Sequence, residues 1–119
     1  MLKFLIPAAV AALSVMPAAA QSIGGVYTVA GTNFDGTPYT GEAEITLTSE
    51  TTCTIEWITG STTSQGICMR NNNAFSAAYV LGDAIGLVIY LVQDDGSMQG
   101  LWTIAGKEGN GTENLTPAE

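Results

Sequence analysis

At 119 residues the chain is too short for two ordinary domains, and its eleven carboxylates against three cations give a net charge of −8 at neutral pH. That acidity argues against nucleic acid and anionic membrane surfaces as partners. The sequence has no histidine, which excludes His-based triads, histidine metal sites and imidazole acid-base catalysis.

The chain opens with Lys3, an apolar run from Phe4 to Met16, and Ala18-Ala19-Ala20. A positive start, a short hydrophobic stretch and small residues before a cut form the pattern of a secretory signal peptide. The apolar run is well short of the ~20 residues a membrane-spanning helix needs, and no cysteine adjoins Gln21 to carry a lipid anchor. The expected organisation is a signal peptide over residues 1–20 and a single domain over residues 21–119, periplasmic or secreted, of bacterial type and without a membrane anchor. Lys3 leaves with the signal, so Arg70 and Lys107 alone oppose eleven carboxylates, two against eleven, for a net charge of −9. Such a charge keeps an exported protein soluble and can also steer it toward a cationic partner.

After Gln21 the apolar pattern has period two, with Gly, Thr, Ser and Asn where turns are needed, and no helical stripe is present. Val26 to Gly31 reads as a strand, and Asn33 to Pro38 carries Asp-Gly turn chemistry. Tyr39 to Thr48 follows, with Tyr39, Gly41, Ala43, Ile45 and Leu47 on one face and Thr40, Glu42, Glu44, Thr46 and Thr48 on the other, wet face. Thr52 to Ile58 places Cys53, Ile55 and Trp57 in phase, and Gly60-Ser61 supplies a two-residue turn. Counting outward from that turn sets Thr59 opposite Thr62, Trp57 opposite Ser64, and Cys53 opposite Cys68. In an oxidising compartment that pair is expected to be a disulfide, with a bulge near Gly66 to relax its geometry. Asn71 to Asn73 reads as a turn, Phe75 to Leu81 as a strand, and Gly82-Asp83 as the next turn. Ala84 to Val92 is apolar on both faces, which predicts an outer face covered by a partner subunit or by the chain's own terminus. Asp94-Asp95-Gly96 turns the chain into Met98 to Ala105, and a last short strand runs through Glu113 and Leu115.

Eight hairpin-linked strands without helices predict an all-β fold, a small eight-stranded antiparallel up-and-down barrel, since closure removes exposed edges. In-strand glycines at Gly41, Gly66, Gly86 and Gly100 suit strands bent around a small barrel. A two-sheet sandwich uses the same signals and is the alternative. The echo between Asp35-Gly36-Thr37 and Asp95-Gly96-Ser97 reads as one turn design used twice.

Candidate chemistry is sparse. Glu42, Glu44 and Glu56 fall on outward positions, and Asp94-Asp95 is ordinary turn chemistry, so no pair of carboxylates shares a cleft as glycoside hydrolysis requires. No calcium loop is present, and neither a metal nor another cofactor is expected. The sequons at Asn110 and Asn114 matter only in a eukaryotic secretory pathway. What remains is an inward set of Tyr27, Tyr39, Trp57, Tyr90, Trp102 and Glu113. These side chains either fill the barrel, with Glu113 paired to a tyrosine hydroxyl, or wall a pocket at one mouth where the acid orients a small ligand.

The run Tyr27 to Gly36, with Tyr39-Thr40-Gly41, Trp57, Gly66, Tyr90, Gly100 to Thr103 and Gly111-Thr112-Glu113, resembles a family of small exported bacterial proteins. Some members are labelled fibronectin-binding proteins. The resemblance implies an exported β-fold and, through that label, an extracellular-matrix protein as a partner. The sequence therefore leads to a non-enzymatic, exported binding module acting through its surface on a cationic or extracellular-matrix protein. The alternative is a small-ligand carrier that uses an aromatic-lined barrel interior, in the manner of lipocalin-like and avidin-like barrels.

Overall fold

The computed structural model describes residues 22–118, and the expected signal peptide lies outside them. Eight strands follow in order: β1 (Gly25–Thr32), β2 (Pro38–Leu47), β3 (Thr52–Thr59), β4 (Thr62–Asn71), β5 (Ala74–Leu81), β6 (Ala84–Val92), β7 (Met98–Ile104) and β8 (Gly111–Pro117). Each pairs antiparallel with the next and β8 pairs with β1, so the sheet closes into a barrel with no unpaired edge. The sandwich alternative is excluded.

Turn chemistry sets these boundaries. Three connections have two residues, Gly60-Ser61, Asn72-Asn73 and Gly82-Asp83, and the first residue of each has positive φ, at 64°, 56° and 61°. A two-residue hairpin needs that backbone conformation to match the twist of its strands, and glycine and asparagine adopt it at least strain. The two Asp-Gly turns do share one design. Asp35 Oδ1 accepts from Thr37 N–H at 3.0 Å and Thr37 O–H at 2.7 Å, and Asp95 Oδ1 accepts from Ser97 N–H at 2.9 Å and Ser97 O–H at 2.6 Å. Those hydrogen bonds hold both carboxyls below the ordinary range.

The β3–β4 hairpin keeps the register counted from its turn: Thr59 faces Thr62, Trp57 faces Ser64 and Cys53 faces Cys68. Cys53 and Cys68 form a disulfide with Cα atoms 5.0 Å apart. The bulge expected near Gly66 is absent, because pairing runs unbroken from Thr52↔Met69 to Thr59↔Thr62. Gly66 serves a different purpose. A Cβ there would strike the Ala78 and Tyr79 backbone of β5, so the glycine permits close approach of that strand.

Inward residues fill the lower part of the barrel, where Phe75 and Tyr90 stack at 5.6 Å and Met98 and Leu115 are fully buried. Two in-strand glycines belong to the same packing. Tyr90 lies across Gly100 of β7 and Tyr79 lies across Gly86 of β6, so an added methyl would collide with either ring. Alternation puts the other residues of β6 outside: Ile85, Leu87, Ile89 and Leu91 are all more than half exposed. The cover expected for this face is not supplied by any described part of the chain.

Candidate functional site

The site is built around Glu113, the single charged side chain that is buried among the described residues, at 6% exposure. Burying a carboxylate is costly unless donors replace its water. Three do so here. Tyr39 donates its hydroxyl to Oε1 at 2.7 Å, Trp57 donates its indole N–H to Oε2 at 2.7 Å, and Tyr90 donates its hydroxyl to the same Oε2. All three partners are neutral, so the negative charge is solvated but not neutralised.

Strand tilt brings these groups together. Tyr39 follows the β1–β2 turn, Trp57 precedes the β3–β4 turn and Glu113 opens β8, so all three sit at the same end of the barrel. Trp102, on β7, donates its indole N–H to the Thr112 carbonyl at 3.1 Å and packs against Phe34 at 4.9 Å and Tyr39 at 6.3 Å. Tyr79 meets Trp57 edge-on at 5.1 Å and donates its hydroxyl to the Thr103 carbonyl at 3.3 Å. Between these rings a cavity of about 250 Å³ opens at the barrel mouth, walled by Tyr39, Trp57, Tyr79, Trp102, Leu81 and Val88, with Asn33, Thr59, Thr62 and Ser64 at its polar positions and Glu113 on its wall. Larger depressions lie on the outer wall and at the opposite end of the barrel.

Burial raises the pKa of every tyrosine. For Tyr39, Tyr79 and Tyr90 desolvation is the main cause and the negative charge of Glu113 the second; Tyr79 is pushed up to about 12, Tyr39 rises further, and Tyr90 is raised well above the ordinary tyrosine value. Their hydroxyls therefore stay protonated and remain donors across the neutral range.

Five of the six inward candidates converge here: Tyr39, Trp57, Tyr90, Trp102 and Glu113. Tyr90 is fully buried beneath the cavity and supports Glu113 from below without lining the open space. Tyr27 does not join them. It too is buried, but its hydroxyl donates to the Ile23 carbonyl at 2.7 Å and the charge of Arg70 acts on it, which places it at the opposite end beside the 48–51 turn. Alternation fixes which face a residue takes and leaves its height in the barrel open, which is why Tyr27 was grouped with the rest. Tyr79 was missed although it is in phase with Phe75 along β5.

The cavity wall presents one carboxylate among aromatic faces and hydroxyls. Glu113 is the lone carboxylate on the cavity wall, while Glu42 and Glu44 are exposed on the outer face and the outward Glu56 accepts a hydrogen bond from Gln65. Among the described residues no three His, Cys, Asp or Glu side chains group as metal ligands.

No protein-family model and no curated protein matches the sequence. Solved structures match in fold. A redesigned β-barrel superposes with a TM-score of 0.71 over 87% of this chain and 98% of its own, at 18% identity. Another redesigned β-barrel, bound to DFHBI, gives 0.69 over 82% and 97% at 19% identity. A fluorescence-activating barrel designed de novo gives 0.66 over 87% and 100% at 16% identity. At these identities the likeness concerns the closed eight-stranded fold.

Proposed function

We propose that the protein is a non-catalytic binding module, exported to the periplasm or beyond, that takes a small organic cation into the mouth of its barrel. The carrying observation is Glu113, a buried carboxylate with three neutral donors and, among the described residues, no cationic partner, on the wall of an open aromatic cavity. A carboxylate offers about four acceptor positions, and three are used. Aromatic faces carry negative quadrupoles, so Trp57, Tyr39, Tyr79 and Trp102 add attraction for a cation to that of the acid. The cavity of about 250 Å³ suits a ligand below drug size. A redesigned barrel of the same fold bound to DFHBI is a precedent for a small ligand on this architecture, and the disulfide fits an oxidising compartment. The open mouth favours this reading over action on a protein partner through the acidic surface.

The test is a tryptophan-emission titration with benzylammonium and its neutral counterpart benzyl alcohol at neutral pH. Benzylammonium is expected to shift or quench emission saturably and to bind at least about tenfold tighter than the alcohol, roughly 1.4 kcal/mol. Glu113→Gln should abolish that preference. Equal affinity for the two probes, or no response to either at millimolar concentration, overturns the proposal.

A further inference from the structure

The outer wall of the barrel divides into two halves. Among the described residues every large hydrophobic side chain more than half exposed lies on β4 to β7, whereas Val26, Leu47 and Ile58, on the remaining strands, are each less than half exposed. On β6, Leu87, Ile89 and Leu91 form a ridge, which Leu101 of β7 and Ile67 and Met69 of β4 flank. Val80 and Ile85 extend it toward the cavity end of the barrel. Eight such side chains exposing roughly 100 Å² each make a surface on the order of 800 Å², beyond the ~300–600 Å² patch of an ordinary monomer and equal to one partner's share of a standard interface.

We infer that this face binds a second copy of the chain, forming a two-fold dimer with the β5–β6 surfaces face to face. Shape points to a self-complementary partner. Three of the four outward residues of β5 are small, Ala74, Ser76 and Ala78, and lie between the ridge of β6 and the larger side chains of β4; the fourth, Val80, closes the strip at the cavity end. A depression of about 500 Å³ covers this strip, with Ile67, Met69, Ser76, Ala78 and Leu87 among its walls. A two-fold axis sets the β6 ridge of each copy into the β5 groove of the other, reciprocally, as an isologous contact requires. Charge agrees with this. Two copies of so acidic a protein repel one another, and the outward positions on β5, β6 and β7 are all uncharged, while Glu42, Glu44 and Glu56 lie on β2 and β3. The barrel mouth opens at one end and stays clear of the face, so this inference is independent of the ligand site.

Sedimentation velocity on the exported, disulfide-intact protein tests it. The protein is expected to dimerise with a Kd below about 10 µM, and more tightly as salt rises, because screening relieves the like-charge repulsion of two acidic copies. Leu87→Glu with Ile89→Glu, both outward, should weaken association at least about a hundredfold while leaving the near-ultraviolet circular dichroism of Trp57 and Trp102 unchanged. Thr28→Glu with Thr116→Glu, on the opposite wall, should leave the dimer intact. A native protein that stays monomeric at about 200 µM, or a Leu87/Ile89 variant that still dimerises, overturns the inference. Flotation of a monomeric protein with phosphatidylcholine vesicles overturns it in favour of a lipid surface.

Discussion

Glu113 depends on its donors, and the donors depend equally on Glu113. A hydrogen bond to a charged acceptor contributes about 1.5–3 kcal/mol, and a buried donor left without an acceptor costs about 1–3 kcal/mol. Tyr90→Phe removes one donor from a fully buried position and should lower the unfolding free energy by about 1–3 kcal/mol in urea titration. Glu113→Leu should lower it by more, about 3–5 kcal/mol, since it strands Trp57 and Tyr90 together and leaves Tyr39 only the Thr112 carbonyl at 3.3 Å. A leucine variant as stable as the native protein would show that the three donors find other acceptors. In the sequence, Glu113 was legible only as an acid in phase with Leu115. Its indole partner is 56 residues away and its tyrosine partners 74 and 23, and nothing local to any of them announces the others.

Strands and turns were far more legible, because their determinants are local. Ala84 to Val92 was bounded by Gly82-Asp83 and Asp94-Asp95-Gly96, and β6 spans those residues. The β3–β4 register followed from one turn and two cysteines that agreed with each other. Closing a loop with a separation of 15 residues contributes roughly 3 kcal/mol by restricting the unfolded chain. Cys53→Ser with Cys68→Ser should therefore lower stability by about 2–4 kcal/mol, without changing ligand binding, since neither cysteine lines the cavity. Gly86 tests the packing of ring on glycine between β5 and β6. Gly86→Ala forces the Tyr79 ring off its seat, should cost about 1–3 kcal/mol, and should perturb the Trp57 emission that reports on the adjoining mouth. The bulge expected at Gly66 was an error of the same local reasoning: a glycine in a strand signals either a bulge or a close neighbour, and here the neighbour is the β5 backbone.

At the scale of the whole barrel, closure carries information that no segment holds. Tilt and stagger bring residues of different registers to one height, which is how Trp57, cross-strand from Ser64, reaches Glu113 while Tyr27 does not. Closure also puts all four tyrosines inside, and this makes the molecule collectively sensitive to alkali. Each has its pKa raised in the folded state, chiefly by burial, whereas in the unfolded chain each titrates near 10. Above that pH the unfolded state releases tyrosine protons that the folded state keeps, so the unfolded state is favoured progressively. The stabilising contribution is fully present below about pH 10 and is lost as pH rises through the folded values, which for Tyr79 is about 12. Tyrosinate absorbance should thus stay absent in the folded protein at pH 10–11 and appear together with loss of the tryptophan near-ultraviolet signal, in one transition releasing more than one proton per molecule. Glu113→Gln should move that transition in two opposing ways: removing the charge eases ionisation of Tyr39, Tyr79 and Tyr90 within the fold, and the weakened network lowers overall stability. Tyrosinate forming gradually at all four rings in a protein that keeps its near-ultraviolet spectrum would mean that solvent reaches even Tyr27 and Tyr90, and would contradict their burial.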